Sequence, residues 1–200
     1  MRYKAAKTNE INPKLNSSEW EKATWEKIGV ECWETPAKAP ETMFKILSGP
    51  EGLSVLLHTN ETDLRAEITE ENGRVCTDSC MEFFFKPDPW NVNYFNFELN
   101  PKGVMHLGFG PGRHGRILIE EREAFDIESI ANEGDWTLKF YIPDAFLLKH
   151  VEKLNPVCKG NFYKCGDDCE IEHYIMWNPV ETEKPDYHRP EFFGRMIISE

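Results

Sequence analysis

The stretch Val75–Asn100 decides how this chain is read: Val75-Cys76-Thr77-Asp78-Ser79-Cys80-Met81-Glu82-Phe83-Phe84-Phe85-Lys86, then Pro87-Asp88-Pro89, then Tyr94-Phe95-Asn96-Phe97-Glu98-Leu99-Asn100. Both flanks have strand composition, and Pro-Asp-Pro continues neither, so they pair through a turn. Successive strand side chains face opposite sides of a sheet. Met81, Phe83 and Phe85 therefore share one face, as do Phe95, Phe97 and Leu99, and that face is core. The opposite face of the first strand carries Cys80, Glu82, Phe84 and Lys86. On the second strand it carries Tyr94, Asn96, Glu98 and Asn100 in an unbroken polar row. Asn is depleted in strands, so such a row points to a ligand with hydroxyl groups.

Working outward, the same pattern of short apolar runs and turns repeats. Residues 1–14 form a polar lead-in. Ser17 or Ser18 caps a single helical turn ahead of Trp20. Strands are expected over Trp25–Trp33, Thr42–Leu47, Leu53–Thr59 and Leu64–Ile68, the middle two joined as a hairpin through Ser48–Gly52. Pro101-Lys102-Gly103 turns the chain into a strand over Val104–Phe109. Gly108–Arg116 is a glycine-rich basic loop. No helix opening with Lys-Ser/Thr follows it, so it is read as a sheet-edge loop and not a phosphate cradle. Further strands are expected over Ile117–Glu120, Trp136–Ile142, His173–Pro179 and Phe193–Ile198. Asp144–Val151 is the one short helix, and Cys158–Cys169 reads as a loop. With no internal repeat and no linker, the expectation is one all-β domain over residues 1–200, an antiparallel β-sandwich of jelly-roll type.

The totals narrow the function. The chain has 200 residues and 40% hydrophobic side chains, enough for one domain with a real core. Its net charge of -12 argues against nucleic acid and anionic membranes as partners, and suits a neutral ligand or a bound cation such as calcium. No apolar run reaches the ~20 residues of a membrane helix. Met1–Lys7 is basic but has no apolar stretch behind it, which leads to a cytoplasmic expectation, or an extracellular one for a chain whose signal has been trimmed. The six cysteines, at positions 32, 76, 80, 158, 165 and 169, are expected to be reduced thiols.

The motif Asp78-Ser79-Cys80-Met81-Glu82-Phe83-Phe84, followed by Tyr94–Asn100 and Gly103, resembles the centre of carbohydrate-binding module family nine. Leu15–Trp20 resembles its entry turn, and Phe193-Gly194 its closing strand. Gly160–Gly166 with His173-Tyr174 and Trp177 is similar to a family-nine-like subgroup. The resemblance covers nearly the whole chain. It implies a β-sandwich that binds sugars without cleaving them, a clamp of two tryptophans on a sugar ring, and structural calcium. Trp177 matches one clamp tryptophan and Glu82 a hydroxyl-binding carboxylate. Where the second tryptophan is expected, the sequence has Cys76. Trp90, Tyr163 and Tyr187 are the alternative platforms.

Sugar recognition needs an aromatic face against the C–H side of the ring, and planar polar groups for adjacent hydroxyls. Tyr94, Asn96, Glu98 and Glu82 supply the polar groups and Trp177 the face. Arg65, His173 and Asn178 are weaker candidates. Asp78 either caps a turn through its own backbone or reaches ligand or calcium; Asp63 with Asp167-Asp168 is a candidate for a hard cation. Two other functions compete. Glu82 and Glu98, on neighbouring strands, could serve a glycoside-processing enzyme. Cys76-x3-Cys80 and Cys165-x3-Cys169, with His173 four residues on, fit the spacing of a zinc-stabilised interaction module. A thiolate nucleophile served by His173 or His188 is the remotest reading.

Overall fold

The computed structural model describes residues 1–198. Among the described residues, the chain forms fourteen strands. In order these are β1 (Arg2–Lys4), β2 (Ala6–Lys7), β3 (Glu26–Ile28), β4 (Thr42–Ser48), β5 (Gly52–Thr59), β6 (Cys80–Lys86) and β7 (Tyr94–Leu99). There follow β8 (Met105–Gly110), β9 (Ile117–Leu118), β10 (Glu128–Ala131), β11 (Trp136–Pro143), β12 (Val157–Cys165), β13 (Tyr174–Met176) and β14 (Gly194–Ile197). One α-helix, α1, spans Asp144–Leu147. No helix among these residues is long and apolar enough to cross a membrane.

The strands make two sheets. One runs β1-β14-β12-β6-β7-β8-β9, with β13 also on β12; the other runs β10-β11-β5-β4-β2, with β3 on β4. Most neighbours are antiparallel, as expected. The sheets are nevertheless mixed, because β1 lies parallel to β14 and β2 parallel to β4. The lead-in is thus not loose: it adds one strand to an edge of each sheet, and Tyr3 is buried with its hydroxyl accepting from the Ile46 amide at 2.9 Å.

The interior between the sheets is aromatic. The Phe162 ring is stacked 3.7 Å from Phe44 of the second sheet and 4.3 Å from Phe83 of its own. Met81, Phe83, Phe85, Phe95, Phe97 and Leu99 all lie in this core, as the alternation demands. The outer face of the eight-stranded sheet is buried too. Cys80, Phe84, Tyr94, Tyr163 and Cys165 pack there under Trp33, Val180, Tyr187 and Phe193, contributed by loops.

Several sequence expectations change. Val157–Cys165 is not a loop but a nine-residue central strand between β6 and β14. Its Gly160 lies so close to the Phe84 carbonyl that a Cβ would sit 2.7 Å from it. The neighbouring Asn161 side chain spans to the Asn178 backbone, accepting from the Asn178 amide and donating to its carbonyl. Leu64–Ile68 forms no strand; its backbone is tied down by Asp78, which is fully buried and accepts from the Glu67 and Ile68 amides and from Asn100 Nδ2, each at 2.9 Å. The first strand shrinks to Glu26–Ile28, the 117–120 strand to Ile117–Leu118, and the helix to a single turn.

Gly194 faces the Trp177 ring, and a Cβ there would meet it at 2.4 Å. Trp177 is fully buried, edge-on to Phe44, and donates from Nε1 to Glu26 at 3.1 Å, so it has little room to retreat. Gly194→Ala is expected to destabilise the protein by about 1–3 kcal/mol through overpacking. Urea unfolding of the variant beside the parent chain measures this.

Candidate functional site

The polar row ends up on the outer face of the eight-stranded sheet. Glu82 and Glu98 stand directly opposite each other on β6 and β7, with Tyr163 opposite Glu82 on β12 and His106 opposite Glu98 on β8. Above the two carboxylates opens a pocket of about 190 Å³. It is walled by Cys76, Cys165, Asp167 and Tyr174 on one side and by Arg113, Asp186, Tyr187 and His188 on the other. Glu82 and Glu98 are 2% and 8% exposed, so they form a floor and not a rim.

Electrostatics on this floor are tense. Like charges directly opposite on neighbouring strands repel, and burial disfavours the charged form. Burial first and Glu98 second hold the Glu82 carboxyl well above the usual carboxylate range. The Glu98 carboxyl is also raised by burial, with His106 and a 2.8 Å hydrogen bond from Asn96 Nδ2 pulling the other way. Asn96 is itself buried, and its Oδ1 has no hydrogen-bond partner. It aims Glu98. A Cβ on Gly108, opposite Asn96, would lie 2.7 Å from that oxygen.

The far wall is set by a relay. Arg116 carries only donors, so His188 Nε2 accepts from it at 2.9 Å, and the proton sits on Nδ1, which donates to the Tyr94 hydroxyl at 2.8 Å. Burial and the two nearby arginines, Arg116 and Arg113, push the His188 pKa down to about 2 and keep the ring neutral. Arg113 pairs with Asp186 at 2.9 Å within the same wall. The Tyr187 ring is stacked 4.0 Å from Tyr163 and is held by hydroxyl bonds to the Lys164 and Ile175 carbonyls.

Not every predicted residue belongs here. Glu82, Glu98, Asn96 and Tyr94 do, the last two through the residues they orient. Trp177 does not: it lies in the interior between the sheets, on the face shared with Ile175, and offers no ring to a ligand. Tyr187, with Tyr174, is the aromatic wall instead. Asn178 is structural, bonding the Phe192 carbonyl through Nδ2. Arg65 forks onto Glu67 at 2.9 and 3.0 Å, a partly exposed ion pair away from the pocket. Trp90 is 84% exposed and lines a separate hollow with Asn155 and Arg195. Asn100 is sealed, its Oδ1 accepting from the Lys102 and Val104 amides of the turn.

His173 belongs to a second cluster. Lys164 is fully buried; it hydrogen-bonds to His173 Nε2 at 2.7 Å and to the Cys165 carbonyl at 2.9 Å, and forms an ion pair with Glu61 at 3.0 Å. Ser79 donates to the other Glu61 oxygen at 2.9 Å. His173 Nδ1 donates to the Ile171 carbonyl, and burial and Lys164 lower its pKa to about 4. The ring has no nitrogen left for Cys169, whose thiol pKa is raised by burial. A thiolate nucleophile is therefore not built at His173, and His188 is committed to Tyr94 and Arg116. The proposed hard-cation acids also separate: Asp63 lines the hollow beside Glu61 and His173, Asp167 the pocket over Glu82. These residues do not fit calcium. The spaced cysteine pairs separate as well, because Cys80 faces Cys165 across the strands while Cys169 Sγ lies 3.6 Å from Ser79 Oγ.

The sequence reading missed Arg113, Asp186 and His188 as pocket walls. Their loops show no periodicity, and only the fold brings residues 111–116 against 185–188.

Comparison with known proteins now adds to this geometry. The model of carbohydrate-binding family 9 matches residues 12–198. The chain belongs to this family. Among solved structures, this family-9 chain is similar to a Bacteroides uniformis protein proposed to bind carbohydrate, at 27% identity and a TM-score of 0.85, over 98% of this chain and 97% of the other. It also shares its fold with a family-9 module from Caldicellulosiruptor kristjanssonii. The complex of that module with glucose matches at 11% identity and a TM-score of 0.69, over 98% and 95% of the two chains; the complex with cellotriose matches at 10% and 0.68, over 98% and 93%. No curated protein matches the chain.

Two outcomes follow for stability. Lys164→Met strands the Glu61 carboxylate and is expected to cost about 3–5 kcal/mol, read by urea unfolding. Glu82 and Glu98 bind protons more tightly folded than unfolded. Their contribution is complete below the ordinary carboxylate value of 4.5 and is lost as pH rises through their raised folded values. His188 acts in the opposite direction: its contribution is present above 6.5 and is lost as pH falls toward about 2. Glu82→Gln is therefore expected to raise the urea midpoint more at pH 8 than at pH 4.

Proposed function

We propose that the chain binds a saccharide, without cleaving it, in the pocket over Glu82 and Glu98. The observation that carries this reading is the pairing of that carboxylate floor with the Tyr187 wall. Planar acceptors at the base of a hollow suit vicinal hydroxyls, and a tyrosine ring beside them suits the C–H face of a sugar. Arg113 in the wall adds a fork of donors. About 190 Å³ is below the ~300–1,000 Å³ of drug-sized sites, which favours one terminal sugar ring over an internal stretch of polymer. The glucose and cellotriose complexes of the Caldicellulosiruptor module support a saccharide as the ligand class.

Hydrolysis is not favoured. A glycosidase sets its carboxyls on either side of the scissile bond. Glu82 and Glu98 rise side by side from one floor, and Glu82 accepts a hydrogen bond from the Cys165 thiol at 3.0 Å.

Calorimetric titration of the full chain against mono- and oligosaccharides tests the reading. One site per chain is expected, together with no product release from aryl glycosides. Removing a charged hydrogen-bonding partner costs about 1.5–3 kcal/mol, or roughly 10–100-fold in affinity. Glu98→Ala and Arg113→Ala are expected to show losses of that size, and Trp90→Ala none. Equal binding by the parent and Glu98→Ala would overturn the assignment of the site.

A further inference from the structure

The pocket floor carries chemistry that sugar binding does not require. Cys80 and Cys165 stand directly opposite each other on β6 and β12. Glu82 is two residues further along β6, hence on the same face. One Sγ from each cysteine and a Glu82 carboxylate oxygen all lie within 4.8 Å of one another, and all three residues are buried. Among the described residues, this is the one group of three or more cysteine, histidine and acidic side chains that converges in this way.

Each feature is poorly explained by packing alone. A buried cysteine ordinarily serves as a small apolar filler. Here Cys165 Sγ lies 3.0 Å from Glu82 Oε1 and gives it a thiol hydrogen bond, a weak partner for a buried acid. The pocket lining also holds more acidic than basic side chains: Glu82, Glu98, Asp167 and Asp186 against the guanidinium of Arg113, which is already paired with Asp186. Cys76 lines the same pocket, its carbonyl accepting from the Asp167 amide at 3.0 Å. Two thiols and a carboxyl group converging among acidic side chains form a donor set for a cation, not for an anion.

We propose that Cys80, Cys165 and Glu82 bind a thiophilic divalent metal of the zinc class on the floor of the pocket. The donor set selects the metal: thiolate ligands suit zinc and disfavour calcium and magnesium, which take oxygen. The count suggests the form of the site. Three protein ligands leave a fourth position of a tetrahedral ion open, and the open side faces the pocket, which Cys165 and Glu82 both reach and which gives the ion its entry path. The step exchanges no electrons. Each metal–sulfur bond forms as a thiol proton leaves to solvent, and any proton on Glu82 leaves as its metal–oxygen bond forms. The incoming dication also removes the repulsion between Glu82 and Glu98. This donor set differs from the closely spaced cysteine pairs of the sequence, since Cys169 and His173 take no part.

Cobalt is the direct probe, because cobalt thiolates absorb in the near ultraviolet and visible, and zinc displaces them. The reduced, demetallated full chain is titrated with Co²⁺ alone, without sugar, so that the result is independent of saccharide binding. The proposal expects one equivalent with thiolate charge-transfer absorption, reversed by Zn²⁺. It also expects zinc at a hundredfold over its dissociation constant to raise the melting temperature by about 5–10 °C. Cys165→Ser and Cys80→Ser are expected to abolish the absorption, and Cys32→Ser to leave it intact, with circular dichroism confirming the fold of each. Absence of charge-transfer absorption in the folded parent chain would overturn the proposal whatever the variants do. So would its persistence in folded Cys165→Ser, or its equal loss in folded Cys32→Ser.

Discussion

Two carboxylates held face to face inside a sheet set the terms for everything around them. Glu82 and Glu98 sit in a layer covered on both sides except at the pocket: phenylalanines fill the face toward the second sheet, and tyrosines, cysteines and loops cover most of the other. A sheet buried on both faces must pair every polar group or leave it exposed to a ligand. Most of the polar groups in this layer are paired. Asp78 is absorbed into a turn, Asn100 into the next, and His188 into a relay between Arg116 and Tyr94. The acidic pair remains, with a thiol and an amide as its partners, and the pocket opens at that place.

The two faces of this sheet were unequally legible. Alternation alone assigns Phe83, Phe85, Phe95 and Phe97 to the interior, and the opposite polar row to a site, because the pleat has a strict period of two. The same rule groups Trp177 with Ile175. That grouping is correct, while the resemblance to a clamp tryptophan pointed the other way. What alternation cannot show is whether a face is open or covered. The covering loops around Trp33, Val180 and Tyr187 are far in sequence from the strands they cap, and no local pattern announces them.

Other misreadings have equally specific causes. Lys159-Gly160-Asn161 has turn composition, yet it sits in the middle of β12. There Gly160 is needed for close packing on the Phe84 carbonyl, and Asn161 uses its amide to bind the backbone beyond β13. Tertiary contacts override propensity in such places. The first seven residues have no strand signal of their own and become strands only because two sheet edges need partners. The walls Arg113, Asp186 and His188 come from loops whose composition says only that they are polar. The two carboxyls under the pocket were therefore readable from sequence as neighbours on one sheet face, and the pocket walls were products of the fold.

The parallel pairing of β1 with β14 reaches beyond the site. It joins residues 2–4 to residues 195–197, while β2 carries the same opening segment to the other sheet. During synthesis from the N-terminal side, residues 2–4 have no partner on the β14 side until residues 195–197 have followed. Up to that moment the aromatic layers on either side of β12 are open along one flank, and closing such distant contacts is slow. The growing chain carries uncovered apolar surface through that interval, a consequence of pairing strands so far apart in sequence.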